Sequence, residues 1–328
     1  MAINQIYAVG AALVDTEVTV SDSFLSGQSI EKGIMTLVDQ SRQAELLDAL
    51  NSSKAPILRQ SGGSACNSVV AAAQFGANSC FGGKVANDPD GALFADDLKQ
   101  ANVQFYSAQS ETGITGKCLV MITDDAERTM NTYLGVSDQF SEKEIDHNAL
   151  IASKWFYIEG YLQTDDRRTI VVKTAVEKAK QYGVKIALSL SDPFVAEIFS
   201  DNLRCIIGDG VDLIFCNKDE ALAFTSEQTL ENAAKSLKHF AKAFAITDGA
   251  KGALVYDGKE LIAVPAVKAK AVNTNGAGDM FAGAFLYGIT AGKDYKTAAE
   301  LANKAAAMVV ERFGPRLEAK DFIQLKAS

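Results

Sequence analysis

The densest chemistry in the chain lies in Asn273-Thr274-Asn275-Gly276-Ala277-Gly278-Asp279, followed by the apolar run Met280-Phe281-Ala282-Gly283-Ala284-Phe285. Gly276 and Gly278 let the backbone approach a ligand closely, and the run after Asp279 predicts a helix. The N–H groups at a helix N-terminus converge with the positive end of its dipole, which suits a phosphoryl group on which charge develops. A carboxylate in the first turn can accept the proton of an attacking hydroxyl. The residues alone leave a plainer alternative open: an acidic helix start after a glycine turn, placed for stability. The third glycine of a Rossmann fingerprint is missing. No GxxxxGKS/T loop occurs either, because Gly83-Lys84 is followed by Val85 and Gly116-Lys117 by Cys118. A nucleotide would have to be held another way.

Such residues need a frame that brings them together. Short apolar runs at 6–9, 80–83, 155–158, 185–190, 212–216 and 244–247 predict strands. Between them lie helical stretches with start and stop signals: 64–75, stopped by Gly76; 91–100, led by the cap Asp88 and by Pro89; and 165–181, ending near Gly183. Ser141-Glu142-Lys143-Glu144 spells a capping box. Strand–helix alternation implies right-handed crossovers and a largely parallel sheet covered on both faces, an α/β fold. Two stretches break the rhythm. Residues 14–60 are polar and mixed, and 112–133 alternate like a two-stranded ribbon, with 117–123 and 128–133 joined across Asp124-Asp125-Ala126-Glu127. The ribbon reads either as a lid over a substrate cleft or as an ordinary edge hairpin. Asp15, Gly160, Asn217 and Thr247 all fall beyond strand carboxyl ends, where open α/β sheets bind ligands.

Composition narrows what the site could serve. At 328 residues the chain can form one large domain or two ordinary ones. A hydrophobic fraction of 48% and a charged fraction of 22% are those of a globular soluble protein, and five prolines argue against long disordered linkers. A net charge of −9 with no basic block makes nucleic acid and membrane poor partners, while a small anion held by a few local donors stays open. Cys66, Cys80, Cys118, Cys205 and Cys216 form no CxxC pair and read as buried thiols in a reducing compartment. With His147 and His239 the only histidines, a His/Cys zinc site is not expected. The first seven residues read as the start of a strand rather than a signal peptide, and no run reaches a membrane-spanning length, so the cytoplasm is the expected location.

Residues 273–285 resemble the C-terminal signature of the ribokinase-type (pfkB) family of carbohydrate and nucleoside kinases. The Gly-Ala-Gly-Asp centre is intact, and Asn273 stands where the family usually has an acidic residue. Further family elements follow in order: Gly62-Gly63 with Asn67, Asn217 with Glu220, and Thr247-Asp248-Gly249. The resemblance covers essentially the whole chain. It implies a single domain over 1–328 with a three-layer ribokinase-like fold, a mostly parallel central sheet flanked by helices, and a small β-rich lid from segments within 14–60 and 112–135. It implies ATP and Mg²⁺ as well, and leaves open both a monovalent cation and the choice between monomer and homodimer.

By the same resemblance, Asp279 is the catalytic base, and Gly276, Ala277 and Gly278 form the anion hole. Glu220 organises the metal, through water, while Asn217, Thr247, Gly249 and Asn303 attend the ATP. Glu220 and Asn303 also fit plain helix-surface positions. Asp15, Gly62, Gly63 and Asn67 hold the acceptor hydroxyls, because a carboxylate offers only acceptor lone pairs. Arg128 reaches a phosphate when the lid shuts, or else stands solvated beside Glu127. Tyr161 stacks on a base or packs in the core. Within the family the adenosine kinase branch looks closest, on 10–15, on 156–161 and on Asn275, although that branch carries asparagine where this chain has Ala11. The expected reaction is phosphorylation of the 5′-hydroxyl of adenosine or a related nucleoside, giving AMP and ADP. The alternative is a carbohydrate kinase for ribose, fructose or a 2-keto-3-deoxy sugar acid.

Overall fold

The computed structural model describes residues 4–53 and 57–327, so the first three residues of the expected opening strand lie outside the described residues. Fourteen strands are found there, named in chain order. They are β1 Asn4–Val9, β2 Leu13–Thr19, β3 Met35–Leu37, β4 Ile57–Gly62, β5 Ser79–Gly82, β6 Val103–Tyr106, β7 Gly116–Ile122, β8 Arg128–Tyr133, β9 Ser153–Glu159, β10 Lys185–Ser189, β11 Leu213–Asn217, β12 Phe244–Thr247, β13 Ala253–Tyr256 and β14 Leu261–Val264. Nine form one sheet in the order β14-β13-β12-β11-β10-β9-β1-β5-β6. From β12 to β6 every pair is parallel, and only the pairings β12–β13 and β13–β14 at one edge are antiparallel.

Parallel strands joined by helical crossovers are covered on both faces, which is why their sequences are continuous apolar runs. Helices Ser64–Phe75, Ala277–Thr290 and Tyr295–Val310 pack on one face, where Val70, Phe81, Phe215 and Phe285 meet in one core. Helices Asp166–Gln181, Ser200–Ile207 and Leu230–Leu237 cover the other, burying Val172, Leu188, Ile214 and Phe244. Removing one such side chain from water stabilises by about 1.5–3 kcal/mol. The expected three-layer α/β arrangement is therefore present.

The chain leaves the large sheet at once. After β1 it crosses Gly10–Ala12 and enters β2, which belongs to a five-stranded sheet of order β3-β8-β7-β2-β4. The polar stretch 14–60 thus contributes β3, β4 and most of β2, and the ribbon expected over 112–133 is the antiparallel pair β7–β8. This second sheet has two different faces. Val18, Leu119 and Met121 pack under helix Gln40–Ser53 with Leu46 and Leu50, whereas Leu13, Cys118 and Val120 turn the opposite way. The capping box at 141–144 forms as read, but it caps only the 3-10 turn Glu142–Glu144; Asp146 caps the short helix that follows.

Candidate active site

The open face of the second sheet and the carboxyl ends of β9, β11 and β12 enclose a cavity of about 330 Å³. Helix Ala277–Thr290 points its N-terminus into it. That helix starts where it does because Gly276 holds φ at 76°, and because a Cβ at 276 would lie 2.3 Å from Pro315 Cβ. The N–H groups of Gly276, Gly278 and Asp279 have no hydrogen-bond partner among the described residues, and all three residues line the cavity. A Cβ at Gly278 would meet no atom within 4 Å, so the glycine leaves free space in front of these amides. The geometry narrows the expected anion hole in one respect. Ala277 does not line the cavity, and its N–H turns back to the Thr274 carbonyl at 3.4 Å.

Asp279 is half-buried at the centre. Its Oδ1 accepts from Ser64 Oγ at 2.7 Å and its Oδ2 from Asn67 Nδ2 at 3.2 Å. Burial raises its carboxyl above the usual range, and the Ser64 and Asn67 donors and the Arg128 charge oppose the rise. Arg128, at the start of β8, is the one cation among the lining residues, facing the carboxyls of Asp15, Glu159, Glu220 and Asp279. Its guanidinium has no hydrogen bond or ion pair among the described residues.

Asp15 lies beyond β1 as expected, within a strand of the second sheet. It is 6% exposed, and burial pushes it up to about 8 despite the nearby Arg316. Gly62 does not line the cavity. Its place in the site is steric: a Cβ there would overlap the Asp15 carboxylate at 2.0 Å. Gly63, Asn67 and Tyr161 all line the cavity.

Asn217 ends β11 and caps the helix Lys218–Thr225. Glu220 N–H donates to Asn217 Oδ1 at 2.8 Å, while the Glu220 carboxylate accepts from Asn217 N at 3.0 Å and from its Nδ2 at 2.6 Å. Glu220 is buried rather than on a solvated helix face, and burial pushes it up to about 7. Thr247 lines the cavity; Gly249 does not. Asn303 is also outside the cavity wall, donating to the carbonyls of Val264 at 3.2 Å and Pro265 at 3.0 Å, where it fixes the chain leaving β14.

Three polar residues of the site had no role assigned from sequence. Glu159 ends β9, is fully buried, and accepts from Ala11 N at 2.6 Å and Ala65 N at 2.8 Å. A lone acid closing an apolar strand was its only signal. Ser64 bonds Asp279, and Arg316 reaches Ser61 Oγ at 2.7 Å and Asn67 Oδ1 at 3.5 Å from the far end of the chain.

These buried acids make stability depend on pH. Asp15 is raised to about 8, Glu159 and Glu220 to about 7, and Asp279 is also raised. A carboxyl raised above its unfolded value stabilises the fold at low pH and stops doing so as pH climbs through the folded value. The ligand-free protein is therefore expected to lose Tm from about pH 4, the unfolded carboxyl range, up to about pH 8, where the last of these groups ionises in the fold, by about 2 °C for each roughly 1 kcal/mol lost. A calorimetric Tm that rises over that interval would contradict the burial of these groups.

The sequence pattern described as pfkB family carbohydrate kinase matches residues 35–321. Adenosine kinase of Saccharomyces cerevisiae is 29% identical, over 94% of this chain and 95% of its own. Among solved structures, adenosine kinase from Sinorhizobium meliloti superposes with a TM-score of 0.91 at 32% identity, covering 100% of both chains. A probable sugar kinase protein from Rhizobium etli CFN 42 superposes with a TM-score of 0.92 at 31% identity, covering 100% of this chain and 99% of its own. With its signature loop built as a set of free amides beside a carboxylate, the chain belongs to the pfkB family of carbohydrate kinases and is a phosphotransferase acting on a nucleoside or sugar.

Proposed function

We propose that the chain transfers the γ-phosphoryl group of ATP to the 5′-hydroxyl of adenosine or a closely related nucleoside. The observation that carries this reading is one cavity whose wall brings together Asp279, the free amides, the apolar face of the second sheet and the Asn217–Glu220 pair. Cys118, Val120, Met130 and Leu134 give that wall a face suited to a flat base, and Tyr161 lines the same cavity. Asp15 accepts from the ribose hydroxyls. Asp279 takes the proton of the 5′-oxygen as that oxygen attacks phosphorus, and the loop amides and Arg128 stabilise the charge spreading over the phosphoryl oxygens.

Thr247 would border the phosphates; Gly249, two residues on, would serve the same end of the nucleotide, and Asn303 would act on it only through the chain after β14 that it fixes. Mg²⁺ fits as an ion carried on the phosphates. Glu220 already accepts from Asn217 with both oxygens, and no cluster of three acidic, cysteine or histidine ligands occurs among the described residues, so Asn217 and Glu220 would hold its water shell. Bound there, the ion neutralises charge between the β- and γ-phosphates. A cytoplasmic location suits an ATP-dependent reaction and free thiols at four buried cysteines.

One observation favours a second reading, a sugar kinase. Ala11 has no polar side chain and its N–H is already taken by Glu159, so the asparagine contact of the adenosine branch has no equivalent. A panel of nucleosides and free sugars, assayed for ADP release with Mg-ATP, separates the two. Adenosine is expected to give the highest kcat/KM. A higher value for ribose, fructose or a keto-deoxy sugar acid selects the second reading, and no ADP release with any acceptor defeats both.

A further inference from the structure

We propose that Glu17 is a positioning residue whose buried carboxylate ties the strand carrying Asp15 to the loop that forms the anion hole, in place of the acidic side chain the family signature usually has at 273. The inference rests on the catalytic-loop reading above.

Side chains alternate along a strand, so residues two apart share a face, roughly 7 Å from each other. On β2 that face carries Asp15 to the cavity and Glu17 to the loop. Glu17 is 1% exposed, lies outside the cavity wall, and has no counter-cation among the described residues. Neutral amides surround it instead. Oε1 accepts from Asn273 Nδ2 at 2.6 Å and from Gly314 N at 2.7 Å, and Oε2 accepts from Asn275 Nδ2 at 3.0 Å. Asn273 is fully buried, and its own Oδ1 accepts from Asn275 N at 2.8 Å. Gly314 leads into Pro315, the residue against which Gly276 packs. One carboxylate thus fixes both asparagines of the loop and the segment that backs its N-cap glycine.

Packing alone does not call for this arrangement, because a buried carboxylate costs several kcal/mol unless donors surround it. It also explains Asn273. An acid at 273 would set two carboxylates 2.6 Å apart, and they could not both ionise. The single charge of the loop has moved to the lid strand, so the part that holds the acceptor also orients the amides that receive the phosphate. The charged groups on the same face of the sheet as Glu17 include Asp15, on its own strand, and Arg128, two strands away.

The test uses three variants of the full chain with ATP and adenosine. Glu17→Gln keeps the shape and removes the charge; it is expected to lower kcat about tenfold with both KM values within about threefold. Asn273→Asp is expected to fall further at pH 8, about 100-fold, and to recover toward pH 6, where the facing carboxyls share a proton. In the double variant, the amide introduced at position 17 can donate to the carboxylate introduced at position 273. Its kcat should return to within about tenfold of the parent and lose the pH dependence, short of full recovery because Gly314 N–H lacks an acceptor. Two outcomes overturn the proposal. In one, Glu17→Gln stays within twofold of the parent while Asp279→Asn is inactive, which leaves the catalytic loop standing without this coupling. In the other, activity follows Tm across all three variants, with no pH dependence in Asn273→Asp.

Discussion

Asp279→Asn is expected to lower kcat for ADP release by about 10²–10⁴ while leaving the fold intact, since removal of a general base costs about that much. The amide is the right size for the site but has one oxygen, not two. Asn67 Nδ2 still needs an acceptor, so the oxygen of the substituted side chain turns to it. The new NH₂ then faces Ser64 Oγ, whose hydroxyl can rotate and accept. Burial disfavours the charged Asp279, so a neutral amide should hold or raise Tm, as often happens when a functional charge is removed. Parent kcat/KM should decline as pH falls through a value above the usual carboxylate range, where the base becomes protonated. The variant's residual activity should lack that limb. Turnover within a few-fold of the parent would remove Asp279 from the chemistry.

The sequence brought the cavity-lining residues into view better than the buried groups that hold them. Strand 244–247 and helix 64–75 were legible to the residue, because period and cap agree there with what the tertiary structure needs. The signature loop was legible because the whole run 273–285 resembles a family signature, whereas a glycine turn with an acidic helix start alone also fits a stability role. Glu17 and Glu159 were not. Their partners are 256 and 148 residues away, and no local pattern encodes that separation. Asp15 does follow β1, yet it sits in a strand and not in a loop. The run 13–19 looks mixed because its two faces meet different surroundings, one toward a ligand and one toward helix Gln40–Ser53. The ATP contacts expected of Gly249 and Asn303 depend on how far the nucleotide extends, which single residues on a turn and a helix do not specify.

Arg128→Ala is expected to cost about 10²–10³ in kcat, the range seen when one preorganised charge or donor is withdrawn from a transition state. A solvated arginine beside Glu127 would predict almost no change, so the measurement separates the two alternatives. Arg128 lines the cavity, has no ion pair among the described residues, and is the only cation among four lining carboxyls. A triphosphate entering that field meets repulsion that the amides and a metal ion alone must offset if the guanidinium is gone. The same charge lowers the Asp279 carboxyl, so its loss should move the acid limb of kcat/KM to higher pH. That shift is diagnostic, because damage to the second sheet would lower the rate without moving the limb. Arg128→Lys should restore the limb more fully than the rate, since a point charge supplies the field but not the forked donors that grip a phosphoryl group. If alanine and lysine variants both stay within twofold of the parent, with the limb unmoved, the second sheet contributes no charge to catalysis. Phosphoryl transfer then rests on the loop amides and the metal alone.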